Sequence, residues 1–298
     1  MKELQEMNLV DDFLAYSLAS HKIYGEKAYR YILECILQRK IRHLTVVSQK
    51  VWYGESPQKH GVRLDICLDE EDGEIFDVEP DNNSGSKDVA ALPRRVRFYH
   101  AKIDAGNLMA GEDYSALRNV VVVFITTYDP FGMGRMVYTI KSGCVEEPGM
   151  PYEDGAKTIF LYTGGTKGEP SERLRQLALY MEHSTVENAQ TPGLAKLHEM
   201  VTKVKTDREV GVAYMHWCEI EKRIQQQAMA EGMAEGMVEG MVEGRVVDIM
   251  DLLEEFGPIS EELEKRIREQ KDPEILRKWL KFAARVNTLE EFERKIEL

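Results

Sequence analysis

Two carboxylates, Asp65 and Glu79, are the side chains whose type and placement point most directly to chemistry. Asp65 sits in Val62-Arg63-Leu64-Asp65-Ile66-Cys67-Leu68, a strand-like run in which alternation puts it on one face with Arg63 and Cys67, opposite Leu64, Ile66 and Leu68. Glu79 ends Ile75-Phe76-Asp77-Val78-Glu79 and shares a face with Ile75, Asp77 and Asp81. If the two runs form a hairpin, Asp65 and Glu79 converge across neighbouring strands. Converging carboxylates repel unless a positive group lies between them. Magnesium suits that place, because it takes one or two protein carboxylates together with waters and substrate phosphate oxygens. Such an ion lowers the pKa of water and neutralises charge building on a scissile phosphate. The competing reading is a solvated hairpin tip, since residues 65–81 hold nine acids.

The next segment bears on that choice. Arg94, Arg95, Arg97, His100 and Lys102 gather positive charge on one helix-like stretch, close in sequence to the acids. An acidic pocket beside a basic helix suits a phosphodiester. Alternatively, the basic groups pair with the acidic hairpin or keep an outer face wet.

Several elements must hold these groups. Glu26–Leu37 carries Ala28, Tyr31, Ile32, Cys35 and Ile36 on one apolar stripe and reads as a helix packed on a sheet. His43–Val51, Val62–Leu68 and Ile75–Val78 read as strands broken by Gly-Glu-Ser-Pro at 54–57 and the acidic turn at 69–74. Asn82–Asp88 is loop-like, and Pro93–Leu108 reads as a helix with proline at its first position and Val96, Tyr99 and Ile103 on one face. Val120–Thr126 is a continuous apolar run, the pattern of a strand buried on both faces, and Val137–Ile140 and Thr158–Tyr162 are two more strands. Beyond residue 168 the pattern is helical: Ser171–Glu182, Ala195–Lys205, Val210–Met229 and a charged tail in which Asp272-Pro273 starts a helix.

The chain has 298 residues, 43% of them apolar, and 39 basic against 52 acidic groups give a net charge of −13. That balance excludes a uniformly basic nucleic-acid coat, so any DNA contact is a local patch. There is no run of eighteen uncharged apolar residues, and the acidic N-terminus does not read as a secretory leader, so the expectation is a cytoplasmic protein with no membrane contact. Cys35, Cys67, Cys144 and Cys218 form no C-x-x-C pair and read as free thiols. Gly164-Gly165-Thr166-Lys167-Gly168 lacks the order of a phosphate loop, the histidines form no H-x-x-x-H pair, and no G-x-S-x-G box is present. Zinc enzymes and hydrolase triads are therefore unsupported.

Taken in order, Asp11-Asp12-Phe13, Gly61-Val62-Arg63-Leu64-Asp65, Phe76-Asp77-Val78-Glu79, Leu92-Pro93-Arg94-Arg95-Val96-Arg97-Phe98-Tyr99, Gly111-Glu112-Asp113-Tyr114 and Tyr128-Asp129-Pro130-Phe131-Gly132, with the Glu-Gly repeats of the tail, resemble the PD-(D/E)XK nuclease superfamily. Within it the pattern is similar to the bacterial recombination-promoting nucleases, also described as nuclease-family transposases. The resemblance implies an α/β, restriction-endonuclease-like αβββαβ core with a mixed sheet, followed by an all-α C-terminal region. It also implies that Asp65 and Glu79 hold Mg2+ or Mn2+. The third motif position, two residues after Glu79, is usually Lys or Gln in that superfamily; here it is Asp81, which can accept a proton from water but supplies no positive charge. Pro80 removes a backbone donor just before it, so Asp81 is expected at a frayed strand end. Arg95 and Tyr99, at i and i+4, resemble the family's Q-x-x-x-Y helix signature with Arg for Gln, and Lys102 lies near that face. Asp12 corresponds to the family's first-helix acid, supporting the metal shell or capping the helix.

Residues 229–244 repeat Met-Ala/Val-Glu-Gly four times. On a helix Gly232, Gly236, Gly240 and Gly244 stack with a drift of about 40° per step. The resulting groove admits a second helix closely, with Met229, Met233, Met237 and Met241 beside it. Each glycine costs about 1 kcal/mol against alanine, so such a helix needs a partner. A semi-flexible linker is the other reading. The expected organisation is a nuclease-like domain at 1–168, a helical extension at 169–228, the repeat at 229–245 and a helical segment at 246–298. The expected function is a metal-dependent DNA endonuclease that assembles as a homo-oligomer through its C-terminal helices. Catalysis falls to Asp65, Glu79 and Asp81, phosphate binding to Arg94, Arg95, Arg97 and Lys102, and support to Asp12 and Tyr99. The rival is a catalytically inactive descendant that binds DNA or its own kind, and a third reading is a structural helical adaptor.

Overall fold

The computed structural model describes residues 2–48, 51–52, 62–63, 66–70, 73–82 and 84–296. The turn expected at 54–57 and Asp65 itself lie outside the described residues. By contacts the chain divides into two compact units, 1–215 and 216–298.

The first unit opens with two helices, α1 (Asp12–Ser20) and α2 (Gly25–Leu37). The second was expected from its stripe. The first was not, because its inward positions are largely small or polar: Ala15, Ser17 and Ala19 are buried beside Phe13, Leu14 and Leu18. The helices approach so closely that a Cβ on Gly25 would sit 2.0 Å from the Ala19 carbonyl oxygen. Strand β1 (Leu44–Ser48) follows, then the short pair β2 (Val51–Trp52) and β3 (Val62–Arg63), then β4 (Ile66–Glu70) and β5 (Ile75–Asp81). Helix α3 (Ser86–Asn107) crosses over to β6 (Val120–Thr126), and β7 (Val137–Ile140) and β8 (Ala156–Tyr162) complete a six-stranded mixed sheet of order β1-β4-β5-β6-β8-β7. The αβββαβ succession expected from the resemblance is thus present. β4 and β5 form the expected antiparallel hairpin, whereas β5 and β6 run parallel.

Two expectations are corrected here. Pro93 does not open α3 but sits inside it at the eighth position, and residues 86–88, expected as loop, form its first turn. Sequence patterning missed this turn because Ser86-Lys87-Asp88 carries no apolar stripe. The strand end at Asp81 is not frayed: β5 runs through it, Asp81 pairs with Thr126 of β6, and it is buried.

The sheet is buried on both faces, which explains the unbroken apolar run of β6. One face carries Cys67, Ile75, Val120, Val122, Phe124 and Phe160 against Leu92, Val96 and Ile103 of α3. The alternate residues Ile66, Leu68, Phe76, Val78, Val121, Val123 and Ile125 are buried on the opposite face, where α1 and α2 pack against the sheet. At about 1.5–3 kcal/mol for each large apolar side chain buried, both layers contribute strongly to holding β5 rigid. Helices α4 (Glu172–Glu182) and α5 (Pro192–Lys205) finish this layer, capped by the Ser171 and Thr191 side chains.

Helix α6 (Arg208–Glu254) runs without a break through the Glu-Gly repeat, past the expected end at Met229. Its last turns join α7 (Glu261–Glu269), α8 (Pro273–Ala283) and α9 (Leu289–Ile296) around a second core of Ile249, Leu253, Ile267, Leu276 and Phe292. Asp272 caps α8, as its Asp-Pro pair predicted. Among the described residues, no helix is long and apolar enough to cross a membrane.

Candidate nuclease centre

The six described acids of the 65–81 segment separate into two environments. At the hairpin tip, Arg39 binds Glu70 at 2.9 Å and Glu74 at 2.7 Å. Arg118 binds Asp69 at 2.8 Å and donates to the Glu70 carbonyl at 2.6 Å. The described acids of the tip are therefore paired with two arginines that come from α2's end and from the turn before β6, not from α3. Neither arginine had been assigned a role from sequence, because the pairing spans 31 to 49 residues along the chain.

Asp77, Glu79 and Asp81 are different. Period-two alternation places all three on the sheet face that α3 covers, and they are 0%, 3% and 4% exposed. Burial of three carboxylates in one row demands compensation. Part of it comes from Arg95, which pairs with Asp81, whose side chain is 2% exposed. The Arg95 guanidinium also lies 4.9 Å from the centre of the Phe124 ring, the residue paired with Glu79 across the sheet. Burial works against the Arg95 charge, but Asp81, Tyr99 and Glu79 outweigh it and hold its pKa above the usual arginine value. Tyr128, on the loop after β6, is pushed up to about 12 by burial and then by the negative charge of Asp81, to which its hydroxyl hydrogen-bonds.

Cys67 pairs with Asp77 and Ile66 with Val78 across the hairpin. Asp65 adjoins this ladder in sequence and lies outside the described residues. Among the described residues, no group of three His, Cys, Asp or Glu side chains is placed to hold a metal on its own. The donor set nevertheless fits a hard divalent ion: its oxygens are carboxylates on a rigid strand, and magnesium needs only one or two of them from the protein.

The remaining expected site residues occupy α3 and α1. Arg94 and Arg97 are exposed, Lys102 is half-buried with its ammonium 5.7 Å from the Phe98 ring, and Tyr99 packs 6.1 Å from Phe124. Arg95 thus differs from its neighbours in being spent on an internal carboxylate. His100 turns inward to Thr158, 2.9 Å away, and burial lowers its pKa. Asp12 is the exposed first residue of α1; the N-cap is Asp11, which receives Lys2 at 2.8 Å and the Asn8 amide at 2.6 Å.

The acids end where parallel strands β5 and β6 end, the edge at which α/β sheets commonly bind ligands. Loops following these two strands flank that edge, and the one after β6 is tightly built. Asp129 accepts from the Phe131 amide at 3.1 Å, from the Tyr138 hydroxyl at 2.8 Å and from the Gly134 amide. Gly132 and Gly134 adopt φ of +69° and +71°, which lets the loop close on that carboxylate. Tyr128 and the Asp129 loop were noted in sequence only as part of a motif; the structure brings them to the acids. No curated protein and no solved structure matches the chain. Residues 21–139, from just before α2 into β7, match the family described as PD-(D/E)XK nuclease family transposase.

Proposed function

We propose that the chain is a metal-dependent DNA endonuclease of the recombination and transposase-associated type. The observation that carries this reading is the row Asp77, Glu79 and Asp81, buried on one face of β5 beside Arg95 within the segment that matches a nuclease family. Asp65 and Glu79 would hold Mg2+ or Mn2+. Once bound, the ion supplies acidified water and charge neutralisation at the phosphate. Asp81, held by Arg95 and Tyr128, serves as a proton acceptor on the same face. Arg95 keeps positive charge at the strand end where the superfamily usually has Lys, with further N–H donors for a phosphate oxygen. Arg94, Arg97 and Lys102 bind flanking phosphates, Tyr99 props Arg95 through Phe124, and Asp12 supports the first helix.

Incubating supercoiled plasmid with the full chain and magnesium or manganese tests this directly. The parent should nick it, while Asp65→Ala and Glu79→Gln should not. Nicking by the variants at the parental rate would overturn the assignment. The second reading, an inactive DNA-binding descendant, is favoured by the Asp81–Arg95 pair itself, which fills the third motif position with a neutralised couple. It predicts that parent and variants bind DNA alike and that none nicks it.

The functional partition we propose is 1–168 for nuclease chemistry, 169–228 as its helical extension, and 229–245 and 246–298 for assembly into a homo-oligomer, in a cytoplasmic protein. Support for assembly comes from α6: nothing within 4 Å would meet a Cβ on Gly232, Gly236, Gly240 or Gly244, and Met229, Met233 and Met237 are each more than 60% exposed. Gly236→Leu with Gly240→Leu should lower the mass measured by light scattering to that of one chain. An unchanged oligomer would place assembly elsewhere.

A further inference from the structure

Beside the acids lies an open trough of about 600 Å³, within the range of about 300–1,000 Å³ typical of small-ligand sites. One wall is the start of α3, with Val89, Ala90 and Pro93. The other is the loop after β6, with Tyr128 and Phe131, and Ser86 stands at its mouth. The loop wall is preformed. Phe131 meets Tyr138 and Phe160 edge-on, with centroids 4.9 and 5.0 Å apart, and the Asp129 hydrogen bonds fix its backbone. Tyr128 joins the trough to the strand end by its bond to Asp81. The helix wall is largely apolar, with the Ser86 hydroxyl at its start, and Pro93 has no N–H to give the Val89 carbonyl, so that backbone acceptor lacks its usual helical donor. Arg94 and Arg97, both exposed, follow directly on the same helix.

A ligand for this trough has a flat aromatic body, a donor for a lone carbonyl and an attached anion for the neighbouring arginines and the acid-bound site. An unpaired nucleobase on its sugar-phosphate backbone meets all three requirements, whereas a base stacked inside a duplex cannot present its face to Tyr128 or Phe131. We propose that the trough receives one unpaired base of the strand whose phosphate lies beside Glu79 and Asp81, so that the substrate is DNA carrying unpaired nucleotides, with preference for a base bearing an exocyclic amine. This rests on the nuclease reading and narrows its substrate.

The test measures binding of the full chain, by fluorescence anisotropy, to a blunt duplex, to the same duplex with a three-nucleotide gap, and to dC20 and dT20. The parent should bind the gapped duplex roughly ten-fold tighter than the blunt one, the scale of one base–aromatic stack. It should also favour dC20 over dT20 several-fold, because cytosine has an amine where thymine has a carbonyl. Ala90→Trp, which fills the trough from an exposed helix position, should abolish the gap preference and leave blunt-duplex affinity unchanged. Pro93→Ala, which returns the N–H to the helix without risk to folding, should keep the gap preference and equalise dC20 with dT20. Equal binding of gapped and blunt duplex by the parent, or a gap preference that survives Ala90→Trp, overturns the proposal while leaving the nuclease reading standing. No binding to any of the four DNAs overturns both.

Discussion

Removing Arg95 should cost far more than removing either arginine beside it. The Asp81 side chain is 2% exposed and that of Arg95 32%, so the carboxylate depends on the guanidinium while the guanidinium retains some water. Deleting one partner of a buried pair typically costs about 3–5 kcal/mol. Because water reaches Arg95, we take the lower end and expect Arg95→Met to lose about 3 kcal/mol, including the contact with Phe124. Asp81→Asn leaves a neutral amide beside a partly solvated cation and should cost about 1–2 kcal/mol. The double variant buries no unpaired charge and should also lose only about 2 kcal/mol, giving a coupling energy near 2–3 kcal/mol. Because the two units need not unfold together, a global midpoint is a poor measure. Native-state hydrogen exchange of the β5 and β6 amides reads the right region. A loss no greater than that of Arg94→Met, or a coupling below about 0.5 kcal/mol, would refute the claim that this pair holds the acidic strand in place.

Other expectations follow from single contacts. Arg94→Ala should leave stability within about 0.5 kcal/mol while weakening DNA binding and lowering the slope of log affinity against log salt by about one, as measured by salt titration. Arg118→Ala, which removes bonds to Asp69 and the Glu70 carbonyl, should cost about 1–2 kcal/mol and raise exchange in the β4–β5 turn. Pro93→Ala should stabilise α3, by up to about 3 kcal/mol if the helix relaxes fully, seen as slower exchange between residues 89 and 97. His100 is held below the ordinary histidine value by burial, partly opposed by Asp154, and its Nδ1 is buried without a hydrogen bond. Protonation therefore favours the unfolded chain: the stability is whole above about pH 6.5 and is lost as pH falls toward the depressed folded value. His100→Gln should flatten this acid-side decline in thermal midpoint; an unchanged slope would assign it to other groups.

What could be read in advance divides along a physical line. Strand alternation depends only on neighbours, so the shared face of Asp77, Glu79 and Asp81 was legible, as was β6 from its unbroken valine run. Contacts across long chain separations were not: Arg39 and Arg118 reach the hairpin tip from distant elements, and no local periodicity encodes that. The early start of α3 was hidden because its first turn is polar and exposed, and because a proline reads as a beginning when it is in fact an interior break. The third motif position is the instructive case. Read alone, an aspartate after a proline looks like a lost function and a loosened strand end. Placed in the sheet, Asp81 is buried, paired with Thr126 and closed by an arginine four residues before Tyr99 on the covering helix. The positive charge missing from the strand has an equivalent in space, supplied from α3 and tied down by the residue that displaced it. The sequence contains both residues, but only the parallel pairing of β5 with β6, with α3 laid across them, makes them one device. Whether that device activates water or merely neutralises the site depends on which partner meets the phosphate, and reversing the pair as Asp81→Lys with Arg95→Glu separates the two. It places a lysine on the strand and keeps the ion pair but removes the carboxylate proposed as proton acceptor, so a site that needs only a strand cation should nick plasmid at least as fast as the parent, whereas one that needs Arg95 or the Asp81 carboxylate should fall silent while remaining folded.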